Sequence, residues 1–451
     1  MPKLPNETLI EYKERVIDSK SASFCGAKWY NATIWLGSGQ TTSCHHPLPH
    51  AIDTQEIVWN PKAIHNTKEK KHQRLQMQNG ERPSGCEYCW KLEDAKASSD
   101  RIYKTIIYSD EDLDAAYKTS SQDDIDLQTL EIAFDRTCQF ACSYCNPAFS
   151  TAWVRDIKRN GAYEHLVSDG RNHFTHPHDS SQLFTPDEVN PYAEAFFKWW
   201  ESDLHKTLKE LRITGGEPLM SPYLWRLIDW FKANKGKSTT RLAINSNLGF
   251  EREKLERLLE ACEGIELDIY TSNESWGRHA EYIRDGLDWA QWGANLDYLL
   301  ASGKLRGLHV MCTINALCLF SLTDLLWHIT KLKEKYGKDS INFTLNILRF
   351  PSFQSPLILP QEFRDEACRK LTHLFNTSLK IGVLDILHEF EREHIVRLTR
   401  YLQEVDSPHS GALSKEILQR DFKNFYQQYD QRRGKDFKYT FPELKDWYDT
   451  L

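Results

Sequence analysis

Residues 130–146 read LEIAFDRTCQFACSYCN. The apolar run Leu130–Phe134 predicts a short strand, and a loop with three thiols follows it at once. Cys138, Cys142 and Cys145 form the pattern C-x3-C-x2-C within eight residues. That spacing lets one loop wrap a metal centre. Structural zinc and iron–sulfur sites ordinarily take four protein ligands. With only three, a [4Fe–4S] cluster keeps one iron open to a chelating ligand, whereas a structural zinc has no use for an open position. A zinc knuckle is the alternative that the loop alone leaves standing.

The next predicted strand, Leu208–Thr214, closes on Thr214-Gly215-Gly216-Glu217-Pro218. Two glycines let a backbone turn tightly and approach a ligand closely. The carboxylate beside them can accept hydrogen bonds from an ammonium group, and Pro218 suits the start of a helical turn. Four more apolar runs follow, at Arg241–Asn245, Ile265–Tyr270, Leu308–Ile314 and Phe343–Leu348. They alternate with helical patterns at Pro191–His205, Pro222–Lys235, Glu251–Cys262, Ile283–Leu300 and Leu322–Lys335. Six strands alternating with helices predict an α/β fold, a partial (β/α)6 TIM-like barrel over residues 126–355. In such barrels the working residues sit at the C-terminal strand ends, where both motifs fall. Residues 1–125 are expected to be a loop-rich, cysteine-bearing metal module. Residues 356–451 are expected to be a mainly helical extension, with helices at Gln361–Thr377 and Val383–Glu404.

The N-terminal module holds Cys25, Cys44, Cys86 and Cys89. Four thiols with one C-x2-C pair make a complete tetrahedral set, so zinc is a physical option there. His45 and His46 follow Cys44 as substitute ligands or as surface histidines. Cys262, Cys318 and Cys368 read as small core residues. Cys312 lies in HVMCTIN on the fifth strand, where alternate residues face a barrel lumen. A thiol facing that lumen is a candidate to return a hydrogen atom to a substrate radical.

C-x3-C-x-aromatic-C, with Tyr144 in the aromatic place, followed by GGEP on the next strand, resembles the radical S-adenosylmethionine (SAM) superfamily over residues 127–350. The resemblance implies that the open iron chelates SAM and that reductive cleavage yields a 5′-deoxyadenosyl radical. It implies that Gly215, Gly216, Glu217 and Pro218 contact the SAM amino group. Asn245, Ser246 and Asn247 would lie near the ribose, with Ser272 and Arg284 at the carboxylate. Arg284 is read as opening the helix after the fourth strand. The run from Cys25 through Gly39 to Cys44 resembles the opening of SPASM and twitch modules, which carry auxiliary clusters. This implies a second [4Fe–4S] cluster on the four N-terminal cysteines, with zinc as the alternative. Residues 281–300 and 347–360 are similar to members with twitch-type modules. An electron donor such as flavodoxin or ferredoxin is implied as a partner. The implied reaction is hydrogen abstraction from a peptide or small polar metabolite, leading to oxidation, cross-linking or epimerisation. A nucleoside or sugar substrate, and a non-catalytic iron–sulfur protein, are the competing readings.

Composition fits this frame. The chain has 451 residues, 40% hydrophobic and 27% charged, as expected of a globular protein with a substantial core. A net charge of −7 argues against a nucleic-acid groove. The opening MPKLPNETLIEYKERV lacks an apolar signal segment, and no run approaches the ~20 apolar residues that span a bilayer. A cytoplasmic location is expected, where 11 cysteines stay reduced and clustered thiols mean metal more often than disulfide. The 14 tryptophans read as core side chains.

Overall fold

The computed structural model describes residues 3–168, 172–185, 188–380, 386–405 and 413–451. Among them, eleven strands run in chain order. They are β1 (Asn31–Trp35), β2 (Gln40–Thr42), β3 (His50–Ala51), β4 (Thr129–Ala133), β5 (Ala141–Cys142), β6 (Glu210–Thr214), β7 (Arg241–Ser246), β8 (Leu267–Ser272), β9 (Arg284–Asp285), β10 (Gly307–Ile314) and β11 (Ile341–Ile347). The six predicted barrel strands are β4, β6, β7, β8, β10 and β11. The fold is mixed α/β with mostly parallel strands, as expected of a partial TIM-like barrel. No helix among the described residues is long and apolar enough to cross a membrane.

The chain divides into two compact units. One comprises Met1–Asp135, Gln182–Gly215 and Trp230–Leu242; the other comprises Arg136–Ser181, Gly216–Asp229 and Ala243–Leu451. The expected boundaries near 125 and 355 do not coincide with this division.

In the first unit the strands lie in the order β3-β2-β1-β4-β6. β1 runs parallel to β4, from Asn31 opposite Thr129 to Trp35 opposite Ala133, and β4 runs parallel to β6. The N-terminal segment thus adds a strand beside the first barrel strand. NATIW alternates in burial, with Ala32 and Ile34 fully inside. Five residues between a helical turn and a tight hairpin are too few for that period to stand out in the sequence. Tyr12, Ile17, Phe24, Trp29, Met77, Ile102 and Leu113 form the module's apolar core.

In the second unit β7, β8, β10 and β11 lie side by side in that order, with β8, β10 and β11 parallel. Their side chains alternate between two faces. Ile244, Ile269, Val310, Phe343 and Leu345 are buried on one face. Asn245, Ser272, Met311, Thr313 and Thr344 occupy the other and are half-buried. The predicted helix Ile283–Leu300 is broken in two, Arg278–Ile283 and Trp289–Ser302. Gly286 at φ +105° turns the chain between them. Asp288 then caps the second helix by accepting the Gln291 N–H at 2.9 Å.

The C-terminal helices belong to this unit. They are Gln361–Lys380, Glu389–Glu404 and Lys415–Arg433. Residues 383–385 of the helix expected over Val383–Glu404 lie outside the described residues. Glu391 joins three elements while fully buried. It accepts the Lys333 ammonium at 2.9 Å, the Phe343 N–H of β11 at 3.1 Å and the His388 N–H at 2.8 Å. Removing one member of a buried pair strands the other. Glu391→Gln should cost about 3 kcal/mol, read as a lowered thermal midpoint. An unchanged midpoint contradicts this account.

Candidate cofactor and metal sites

The three-cysteine loop is clamped at its start, its middle and its flank. Thr151 donates its hydroxyl to the Cys138 carbonyl at 3.0 Å and accepts the Cys138 N–H at 3.1 Å. The Phe140 ring is wedged against Gly249 and Gly286, where an added Cβ would meet it at 2.5 Å and 2.8 Å. β5 pairs with β9, so that Cys142 lies opposite Arg284. The C-terminal helix braces the same loop, for Tyr429 donates to the Ala141 carbonyl at 3.3 Å and Tyr426 to the Ser143 hydroxyl at 3.3 Å.

Cys138 and Cys142 are buried. Burial, then the neighbouring Cys142, pushes the Cys138 thiol up to about 12. Burial pushes Cys142 up to about 11, against the pull of the Arg284 guanidinium. Burial also raises Cys145, and Cys142 and Cys138 raise it further. Thiols that resist ionisation together gain from a cation that neutralises them. Donors for the thiolate form are present, with the Phe140 N–H 3.4 Å from the Cys138 sulfur and Arg284 Nη1 3.7 Å from the Cys142 sulfur. This donor set fits a three-thiolate iron–sulfur cluster.

The GGEP turn holds its shape through its glycines. Gly215 sits at φ +126°, with the Asp135 carbonyl 2.6 Å from where a Cβ would be. A Cβ on Gly216 would meet the Arg136 carbonyl carbon at 2.6 Å. Pro218 opens the short turn Pro218–Met220. Glu217 is buried, and both its oxygens are engaged within the loops. One accepts the Leu219 N–H at 3.1 Å and the other the Asn247 N–H at 2.6 Å. Burial raises its pKa to about 7. In this geometry Glu217 ties the GGEP turn to the β7 loop. Ser246 accepts the Leu248 N–H at 3.1 Å, and the Asn247 side chain reaches to 4.0 Å from the Cys138 sulfur. Asn245 lies on the polar strand face, and its Oδ1 is buried with no partner among the described residues.

Arg284 does not open a helix but sits in β9, with a partner that the sequence reading missed. Glu274, fully buried, receives Arg284 Nη2 at 2.8 Å and Nε at 3.2 Å, and the Tyr144 hydroxyl at 3.1 Å. Burial would lower the Arg284 pKa, but Glu274 more than reverses this and keeps the guanidinium charged. A carboxylate two residues beyond β8, in TSNESW, was the available signal. Ser272 faces the polar side of β8. Cys312 does not face that side. It shares the buried face of Leu308, Val310 and Ile314, and Met311 and Thr313 hold the polar positions instead. A shift of one residue along a strand exchanges the two faces.

In the first unit, Cys25, Cys44, Cys86 and Cys89 line a single cavity together with Lys28. Burial pushes Cys86 up to about 11 and Cys89 to about 12, and the neighbouring thiols add to both. Lys28, Lys70 and Arg74 are all buried nearby. Lys28 is held by Gln73, Lys70 donates to Thr41 at 2.8 Å, and Arg74 donates to Asn66 at 2.9 Å. None of the three pairs with a carboxylate among the described residues. Buried cations without counter-charge are expensive; burial pushes the Lys70 ammonium well below its usual pKa, and thiolates in the cavity would supply counter-charge to Lys28. His45 and His46 turn towards Asp100 instead.

Residues 132–332 match the family model of the radical SAM superfamily. No curated protein matches the chain in sequence. Among solved structures it is similar to Streptococcus suis SuiB, at 13% identity and a TM-score of 0.35 over 71% of this chain and 63% of that one. SuiB bound to S-adenosylmethionine gives 13% identity and a TM-score of 0.36, over 70% and 64%. Native anSMEcpe with bound AdoMet gives 14% identity and a TM-score of 0.34, over 72% and 100%. The chain thus spans less than two thirds of the length of SuiB.

The raised pKa of Glu217 sets a sign for stability against pH. The folded state holds the proton more tightly than the unfolded state, so the contribution is complete below about pH 4.5 and is lost as pH rises through about 7. Relative to Glu217→Gln, the wild-type protein should lose up to about 3 kcal/mol between pH 5 and pH 8, measured by thermal melts. Parallel pH profiles for the two proteins would show that Glu217 does not titrate in this way.

Proposed function

We propose that the chain, whose residues 132–332 match the family model of the radical SAM superfamily, is an enzyme that cleaves SAM reductively to abstract hydrogen from a substrate C–H bond. The observation that carries this reading is the loop of Cys138, Cys142 and Cys145, clamped in place with the Arg284 guanidinium against one of its sulfurs. A [4Fe–4S] cluster and SAM bound there would supply the radical chemistry.

The residues of the chain have separable tasks. The three thiols would hold the cluster, and N–H groups directed at their sulfurs favour the ionised form. Arg284 has the planar fork that suits a carboxylate, and Glu274 holds that fork in one orientation. Gly215 and Gly216 leave the space that a close ligand needs. Asn245 offers a buried acceptor without a partner. The polar strand face, with Asn245, Ser272, Thr313 and Thr344, suits a substrate rich in amide or hydroxyl groups. This favours a peptide or small polar metabolite. The four N-terminal cysteines, flanked by buried cations, would hold a second [4Fe–4S] cluster. The electrons would come from a flavodoxin or ferredoxin in a reducing, cytoplasmic setting, in line with eleven free cysteines.

Anaerobic reconstitution should give about eight irons per chain, four for each cluster. Reduction with dithionite in the presence of SAM should then release 5′-deoxyadenosine. Cys138→Ala should abolish that product and retain about four irons. Full cleavage by this variant refutes the central claim, and four irons with one zinc in the wild type refutes the second cluster.

A further inference from the structure

The N-terminal module carries a further set of ligand atoms that contains no thiol. His45 and His46 follow Cys44 in a bend, and Asp100 starts the helix Asp100–Thr105. The Nε2 of His46 lies 2.6 Å from Asp100 Oδ2. The Nε2 of His45 lies 3.0 Å from the same oxygen. All three ligand atoms fall within 4.8 Å of one another, the only such group of His, Cys, Asp or Glu among the described residues. Tetrahedral ligands about 2.1 Å from an ion lie about 3.4 Å apart, so side-chain rotations that lengthen the two histidine–Asp100 contacts would admit one.

The surroundings orient these groups. The His46 ring stacks on Tyr88 at 4.0 Å with an 18° interplanar angle. The His45 ring lies 4.2 Å from that of His46. His46 and Tyr88 also line an open cleft of about 1010 Å³. Lys104, one turn further along the helix from Asp100, is a neighbouring cation. Affinity must therefore come from directional imidazole nitrogens rather than from accumulated negative charge. That selects borderline transition ions over calcium or magnesium.

We propose that His45, His46 and Asp100, of which His46 and Asp100 also line the cavity of the four N-terminal cysteines, form a divalent transition-metal site that takes zinc through two imidazoles and one carboxylate and no thiol.

The test uses the full chain after iron loading, so that both cysteine sets are occupied. One equivalent of Zn2+ is added, excess is removed, and the protein is examined by metal analysis and zinc K-edge X-ray absorption. One retained zinc is expected, with nitrogen and oxygen ligands at about 2.0–2.1 Å and no sulfur at about 2.3 Å. His45→Ala and Asp100→Asn should keep their iron yet bind zinc at least ~100-fold more weakly. The His45 side chain is 62% exposed, so misfolding does not explain a loss in that variant. Sulfur in the zinc shell, zinc retained equally by both variants, or no zinc retained by the wild type overturns the proposal. None of these readouts involves SAM cleavage.

Discussion

Three thiols crowded into a buried loop are the constraint on which the second unit is organised. Burial raises the pKa of all three, Cys142 raises that of Cys138, and both raise that of Cys145. Such a loop persists only if its backbone is held and its charge is answered. The backbone is held by Thr151, by Phe140 wedged against two glycines, and by pairing with β9. The charge is answered by Arg284, which Glu274 keeps in place. The break at Gly286 follows from the same need. A continuous helix through residue 284 would leave no strand to pair with Cys142.

The first unit meets the same constraint with different means. There the basic side chains are Lys28, Lys70 and Arg74, buried without carboxylate partners among the described residues. Hydrogen bonds to neutral groups position these side chains, and burial, then the nearby Arg74 and Lys28, pushes the Lys70 ammonium well below its usual pKa. Lys28 lines the cavity of the four thiols, and thiolates held by a metal there would answer its charge. The two cysteine sets therefore differ in how the protein meets their charge. Beside one stands a guanidinium pinned by a carboxylate; the cavity of the other is lined by Arg101, which Glu93 and Asp18 hold, and by Lys28, which pairs with no carboxylate among the described residues.

Much of this was legible in the chain because the signals are local. C-x3-C-x2-C and GGEP are contiguous, and six apolar runs alternate with helical patterns, so motif and strand coincide. The features that escaped depend on distance or on register. β1 is five residues long and shows its meaning only beside β4. Glu274 is an ordinary loop carboxylate until Arg284 and Tyr144 converge on it. Cys312 lies on a strand whose alternate residues face opposite sides, and the residues alone do not say which set, Leu308, Val310 and Cys312 or His309, Met311 and Thr313, is the buried one. Arg284 was placed in a helix because its neighbours have helical periodicity, which Gly286 and Asp288 interrupt. The C-terminal helices carried a periodic pattern but no sign of what they would touch.

That last element has a consequence for the order of assembly. Tyr429 donates to a carbonyl in the cysteine loop that precedes it by 288 positions. A chain made from its N-terminus completes the six strands of the barrel well before this helix exists. Until then the loop lacks part of its brace, although all three cysteines have been made. The three thiols are thus produced early, and the loop that carries them is steadied late.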